Sequence, residues 1–61
     1  MNDNLIDGYE ELKKLIESLQ IDIVKNAGGN KSAGVRARKG LREIKKIAAE
    51  IVKSSLTADK D

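Results

Sequence analysis

Lys31, Arg36, Arg38, Lys39, Arg42, Lys45 and Lys46 crowd a stretch that holds no carboxylate before Glu43. Fixed positive charge at that density does one kind of chemistry well: it neutralises a polyanion, and along a nucleic acid it does so by releasing condensed counterions. The residues interleaved with it, Ser32, Ala33, Gly34, Ala37 and Gly40, are small and poor material for a conventional core. The run also lies where a hairpin loop should give way to a second helix. Its cations therefore crowd that helix's first turns, the end at which the macrodipole disfavours positive charge. A sequence chosen for helix stability alone would place Asp or Glu there, and local rules tend to be broken where function demands it.

Other chemistries lack their parts. With no Cys and no His, disulfides, ordinary zinc sites and thiol or imidazole catalysis are excluded. Glu17, Asp22 and Glu43 are carboxylates without a partner base or nucleophile, and read as solvated helix surface or intrabundle ion pairs. Gly29–Ser32, GNKS, resembles the end of a phosphate-binding loop, but Asn30 stands where that motif needs Gly and no strand precedes it. No enzyme, catalytic residue, metal site or cofactor is expected. The single aromatic, Tyr9, occupies a seam position, so a stacking platform for single strands is missing. Nor is there the Asn, Gln or Arg arrangement of a recognition helix that would read base edges.

The chain has 61 residues and a net charge of +2 that hides a strong asymmetry. Residues 1–24 carry −4, residues 25–46 carry +7 because Glu43 alone opposes the cations there, and residues 47–61 carry −1. Polarisation of this kind points to nucleic acid or another polyanion as partner. One core of this size rarely supplies more than about 3–5 kcal/mol, so a staple is needed, and oligomerisation is the one left. No apolar run approaches the roughly 20 residues of a membrane span. The acidic start lacks the build of a signal peptide, so the chain is expected to stay in the compartment where it is made.

The elements that must position these cations are helical. Leu5, Tyr9, Leu12, Ile16, Leu19 and Ile23 recur at alternating spacings of four and three, a coiled-coil seam that predicts a helix over about 4–26. Asn2, Asp3 or Asn4 can cap it, Asp3, Asp7, Glu10 and Glu11 suit its early turns, and Gly8 costs it about 1 kcal/mol against Ala. Lys25, Asn26, Ala27, Gly28 and Gly29 read as a helix end, with a turn over about 27–30. Asn30 or Ser32 can cap a second helix over about 31–56, whose seam is Gly34, Ala37, Leu41, Ile44, Ala48, Ile51 and Ser55. Its small residues, Ala33, Gly34, Ala37 and Gly40, predict close approach near the loop. Ser54–Asp61 is polar and reads as fraying into a short disordered tail.

So short a connection makes the helices antiparallel neighbours. The fold expected is all-α, a single antiparallel two-helix hairpin domain over 1–61. Ile6, Leu15, Ile21, Val24, Ile47 and Val52 add apolar surface that one hairpin cannot cover, which predicts a homodimeric four-helix bundle. The alternative is a monomer with those aliphatics exposed. On a helical wheel Lys31, Arg38, Lys39, Arg42, Lys45, Lys46 and Lys53 fall within an arc of about 120°, largely opposite the seam. Val35 falls inside that arc. Arg36 falls off it, nearer Glu43 and Glu50, where it can serve the fold.

GNKSAGVRARK over 29–39, followed by LREIKKIAAEIVKSSL, resembles the small bacterial histone-like proteins of the chlamydial linker-histone type, whose relatives also appear in other bacteria and in marine phages. The likeness is specific over most of the second half and one of pattern over the first. It implies nonspecific binding and compaction of double-stranded DNA, with Lys31, Arg36, Arg38 and Lys39 as contacts, in the nucleoid, or in the host cytoplasm or virion if the protein is phage-encoded. The chlamydial pattern continues into a Lys- and Ala-rich tail where this sequence has the acidic Thr57–Asp61. Two alternatives stay open: the hairpin itself binds DNA, or the matched segment is a dimerisation core. RNA stays open as the nucleic acid, and the rival reading is a structural module whose basic face docks an acidic protein.

Overall fold

The computed structural model describes residues 3–59, and every element in it is helical: α1 (Asp3–Ser18), α2 (Gln20–Ala27) and α3 (Lys31–Asp59). Of the expected caps for the first helix, Asn2 lies outside the described residues, while Asp3 and Asn4 are inside α1. Where the spacing predicts one helix over 4–26, the chain is interrupted at Leu19, although neither Pro nor Gly stands there. The Ser18 hydroxyl donates to the Leu15 carbonyl at 2.7 Å. The Leu19 amide turns to Ile16 O at 3.2 Å, a tighter i→i−3 bond, and Ile23 N resumes the ladder on Leu19 O at 2.9 Å. A serine that bonds back onto its own helix and a locally tightened turn both bend helices.

The turn after α2 uses its glycines for their conformation. Gly29 takes φ +102°, a region L side chains rarely adopt. Its amide bonds Asn26 O at 2.9 Å and that of Asn30 bonds Lys25 O at 3.0 Å, the paired bonds of a Schellman ending. Asn30 at once starts α3, accepting on Oδ1 from Ala33 N at 2.9 Å, so Asn30 rather than Ser32 supplies the cap. One residue thus closes one helix and opens the next.

Packing between the arms runs in a clear order. Leu19 lies against Gly40, Asn26 against Gly34, and Gly8 beside Ile51, with a Cβ at Gly8 falling 3.3 Å from Ile51 Cγ1. Partner numbers on α3 fall as those on the first arm rise. Ala33 is 0% exposed, Ala37 2% and Leu19 8%. The expected close approach near the loop is present, built from small residues.

The seam of the first arm differs from the predicted one. Leu5, Leu12 and Leu19 face α3 as expected, but the row that completes the contact is Gly8, Leu15 and Asp22, all half-buried. Tyr9 and Ile16 are 54% and 51% exposed, and Ile23 is exposed beside them. On α3 the predicted Gly34, Ala37, Ile44, Ala48, Ile51 and Ser55 are all buried or half-buried, while Ala33, Gly40 and Ile47 complete the contact and Leu41 is 49% exposed. Both arms are apolar over a stripe wider than two rows, and Leu19 seated over Gly40 selects the rows that meet. The predicted frayed tail is also corrected: α3 continues to Asp59, Thr57 Oγ1 donates to Lys53 O at 3.2 Å, and Ser54, Ser55 and Ala58 are half-buried. Lys60 and Asp61 lie outside the described residues.

The result is one layer two helices wide, with principal extents of 48 × 14 × 11 Å. Its radius of gyration is 14.3 Å, against about 10.5 Å for a compact chain of this length.

Candidate nucleic-acid interface

Because α3 turns Ala33, Ala37, Gly40, Ile44, Ile47 and Ile51 toward the first arm, its opposite side is fixed by helical period. That outer side carries Lys31, Arg38, Lys39, Arg42, Lys45, Lys46 and Lys53, all exposed. Val35 lies among them and is exposed as well. From Lys31 to Lys53 the cations extend over about 33 Å of helix, close to one turn of B-form DNA at about 34 Å. None of them is held in an ion pair within the described residues, where the pairs are Lys13 with Glu10 and Arg36 with Asp22.

Arg36 stands apart from this group. Its Nε donates to Asp22 Oδ1 at 3.1 Å, and Nη2 lies 3.1 Å from the same oxygen. The guanidinium therefore joins α3 to α2, on the side of the molecule away from Tyr9, Ile16 and Ile23. The wheel had pointed to Glu43 and Glu50 as its neighbours. Asp22 was missed as the partner, although it is the one carboxylate between Glu17 and Glu43 and so the one acid near the loop.

Arg38 is shaped by its surroundings too. A Cβ at Gly34 would fall 3.0 Å from Arg38 Nη1, and the Asn26 side chain takes the rest of that space. Gly34 thereby lets the guanidinium lie close over the start of α3. Asn26 Nδ2 also donates to Asn30 O at 3.3 Å, which ties the loop to this end of the surface. No acidic residue sits in the first turn of α3, so the helix's positive end and its cations add in one region. The outer side of α1 is net acidic, carrying Asp3, Asp7, Glu10 and Glu17 against Lys13 and Lys14, all exposed.

Tyr9 corrects one premise of the sequence reading. It is exposed rather than sealed in the seam, but it lies on α1, off the outer side of α3. No pocket is formed by the described residues, and none of their carboxylates cluster in a way that could hold a metal ion. The outer side of α3 is thus a convex, unneutralised cationic surface. It is suited to laying along a chain of phosphates and not to enclosing a small molecule.

A family model described as histone H1-like protein Hc1 matches residues 6–61. No curated protein and no solved structure matches the chain.

Proposed function

We propose that this chain, which belongs to the histone H1-like Hc1 family over residues 6–61, binds duplex DNA without reading its sequence, by laying the outer side of α3 along the phosphates. The family is one of structural DNA-binding proteins and not of enzymes. The observation that carries the reading is the set of unpaired cations, Lys31, Arg38, Lys39, Arg42, Lys45 and Lys46, along one side of a single helix. Arg36, held by Asp22, contributes less. Phosphate contacts of this kind position a protein without specifying bases. In this reading the chain forms one domain, its arms make an antiparallel hairpin, and two copies close into a four-helix bundle that compacts DNA in the nucleoid.

Gel shifts over a salt series test it, with random duplex, single-stranded DNA and RNA as probes. Affinity for duplex should fall steeply with salt, with a slope of about −0.9 per phosphate contact. Replacing Arg38 and Arg42 together by Ala should weaken all duplex sequences equally and flatten that slope by about 2, with helicity kept because both side chains are exposed. Removing Glu10 and Glu11 should leave binding intact or tighten it. An unchanged affinity and slope in the double Arg variant would overturn the assignment and give the lead to an acidic protein partner. Tighter binding of RNA than of duplex would reassign the nucleic acid.

A further inference from the structure

The molecule exposes 4945 Å², whereas a compact monomer of 6.7 kDa would expose about 3900 Å². The difference, on the order of 1000 Å², is close to the roughly 800 Å² that each partner contributes to a standard interface. The packing leaves one long side on which apolar residues of both arms are exposed together. Asp22 and Arg36 pair across one long side of the layer. The flanks bearing Tyr9, Ile16 and Ile23 on the first arm and Leu41, Ala48 and Val52 on α3 therefore share the other long side. Tyr9, Ile16, Ile23, Leu41 and Val52 are all exposed there, while the Asp22 side is polar.

We infer that a second copy docks on this apolar side with each first arm lying over the partner's α3, the two-fold axis running along the helices. The inference rests on the proposed dimeric hairpin and specifies its topology. Two observations choose this arrangement over the one in which like arms stack. The charges of residues 1–24 and 25–46 are −4 and +7, so crossing the arms sets opposite signs together, and stacking like arms sets +7 on +7. Size agrees as well. The first arm offers Tyr9, Ile16 and Ile23, and α3 offers the smaller Ala48 beside Leu41, so large residues meet small ones.

Register follows from the contacts between the arms. Gly8 beside Ile51 and Leu19 beside Gly40 set Ile16 level with Glu43, and Tyr9 level with Glu50. Rotation about an axis along the helices preserves level. Ile16 then falls between the partner's Leu41 and the partner's Lys45, and Tyr9 between the partner's Ala48 and the partner's Val52. The two cationic sides end on opposite edges of the bundle, facing away from one another.

The chain contains no Cys, so introduced thiols report cleanly. Ile16→Cys and Leu41→Cys are made as separate proteins, mixed at equal concentration and oxidised in a glutathione buffer without DNA. The expected result is a disulfide between the two different chains in the mixture, with little in either protein alone. Efficient bridging of Ile16→Cys or Leu41→Cys to itself would overturn the crossed arrangement in favour of stacked like arms. Sedimentation supplies the second measurement: wild type should run at twice 6.7 kDa, and Ile16→Lys, whose charge would face the partner's Lys45, at half the wild-type mass with its helical signal retained. A wild-type monomer at tens of micromolar overturns the interface outright, as does an Ile16→Lys protein that remains dimeric. None of these readouts involves DNA, so failure of the interface and failure of the DNA-binding reading are separate results.

Discussion

Between Leu19 and Gly40 the arms meet over residues with almost no side chain: Ala33 and Ala37 are sealed, Asn26 fills the place of a side chain at Gly34, and Leu19 fills that at Gly40. Toward Gly8 and Ile51 the facing residues are larger, and although Ile47 is buried, Leu5, Leu12, Ile44 and Ile51 remain half-buried. Burial here follows proximity and not side-chain size. Small residues let two backbones approach until each covers the other, whereas branched aliphatics hold the arms apart. In a layer two helices wide nothing on the far side covers what they leave open.

The contrast breaks most severely at Gly40. Any side chain there collides with Leu19, whose Cγ would lie 3.0 Å from the new Cβ, with both methyls nearer still. Gly40→Val should therefore force the arms apart at their tightest point. Overpacking costs about 1–3 kcal/mol, comparable to the roughly 3–5 kcal/mol a core this small supplies. A thermal melt followed by circular dichroism should show most of the cooperative transition lost. An unchanged midpoint would mean that Leu19 has another place to go and does not fix the register.

A milder substitution sharpens the comparison by giving opposite signs at the two ends. Alanine gains about 1 kcal/mol over glycine in a helix interior, and at Gly8 the new methyl meets only the Ile51 side chain, Cγ1 at 3.3 Å and Cδ1 at 3.9 Å. Gly8→Ala should be neutral or stabilising by about 0.5 kcal/mol, which in a domain this size raises the midpoint by a few degrees, roughly 2–4 °C. Gly40→Ala should lower the midpoint despite the same gain in propensity. If both move the same way, the two ends pack alike.

Smallest is the effect at the Arg36–Asp22 contact, which joins the tight end to the cationic surface. Exposed pairs contribute about 0–1 kcal/mol, so Asp22→Asn should barely change the melt. It releases Arg36, however, and the salt slope of duplex binding should steepen by at most about 0.9. A slope that becomes shallower would show that the pair holds Arg36 in place for phosphate and does not sequester it.

Local chemistry wrote the loop into the sequence. Gly28 and Gly29 behind Lys25, with Asn30 before a helix, can be recognised without tertiary knowledge, because a positive φ favours glycine and an orphan N–H favours an asparagine cap. The cationic side of α3 was legible for a similar reason: helical period alone places Lys31 through Lys46 on one arc, and charge excludes that arc from the core. Illegible were the rows that meet. Tyr9, Ile16, Ile23 and Gly8, Leu15, Asp22 flank the Leu5, Leu12, Leu19 row on either side, at about 40° and about 60°. Apolar content favours the first, and Gly8 and Asp22 read as a propensity cost and a surface charge.

The sequence by itself thus determined that the chain is helical, where it turns, and which side of its long helix is cationic, since periodicity, glycine conformation and charge act over a few residues. Only the tertiary structure decided the partner of Arg36 and the side on which Tyr9, Ile16 and Leu41 are left open. Both depend on one event with no local signature, the seating of Leu19 in the space left by Gly40. It sets the rotation of each arm about its own axis, and rotation decides which flank is covered, here the less apolar one of Gly8, Leu15 and Asp22.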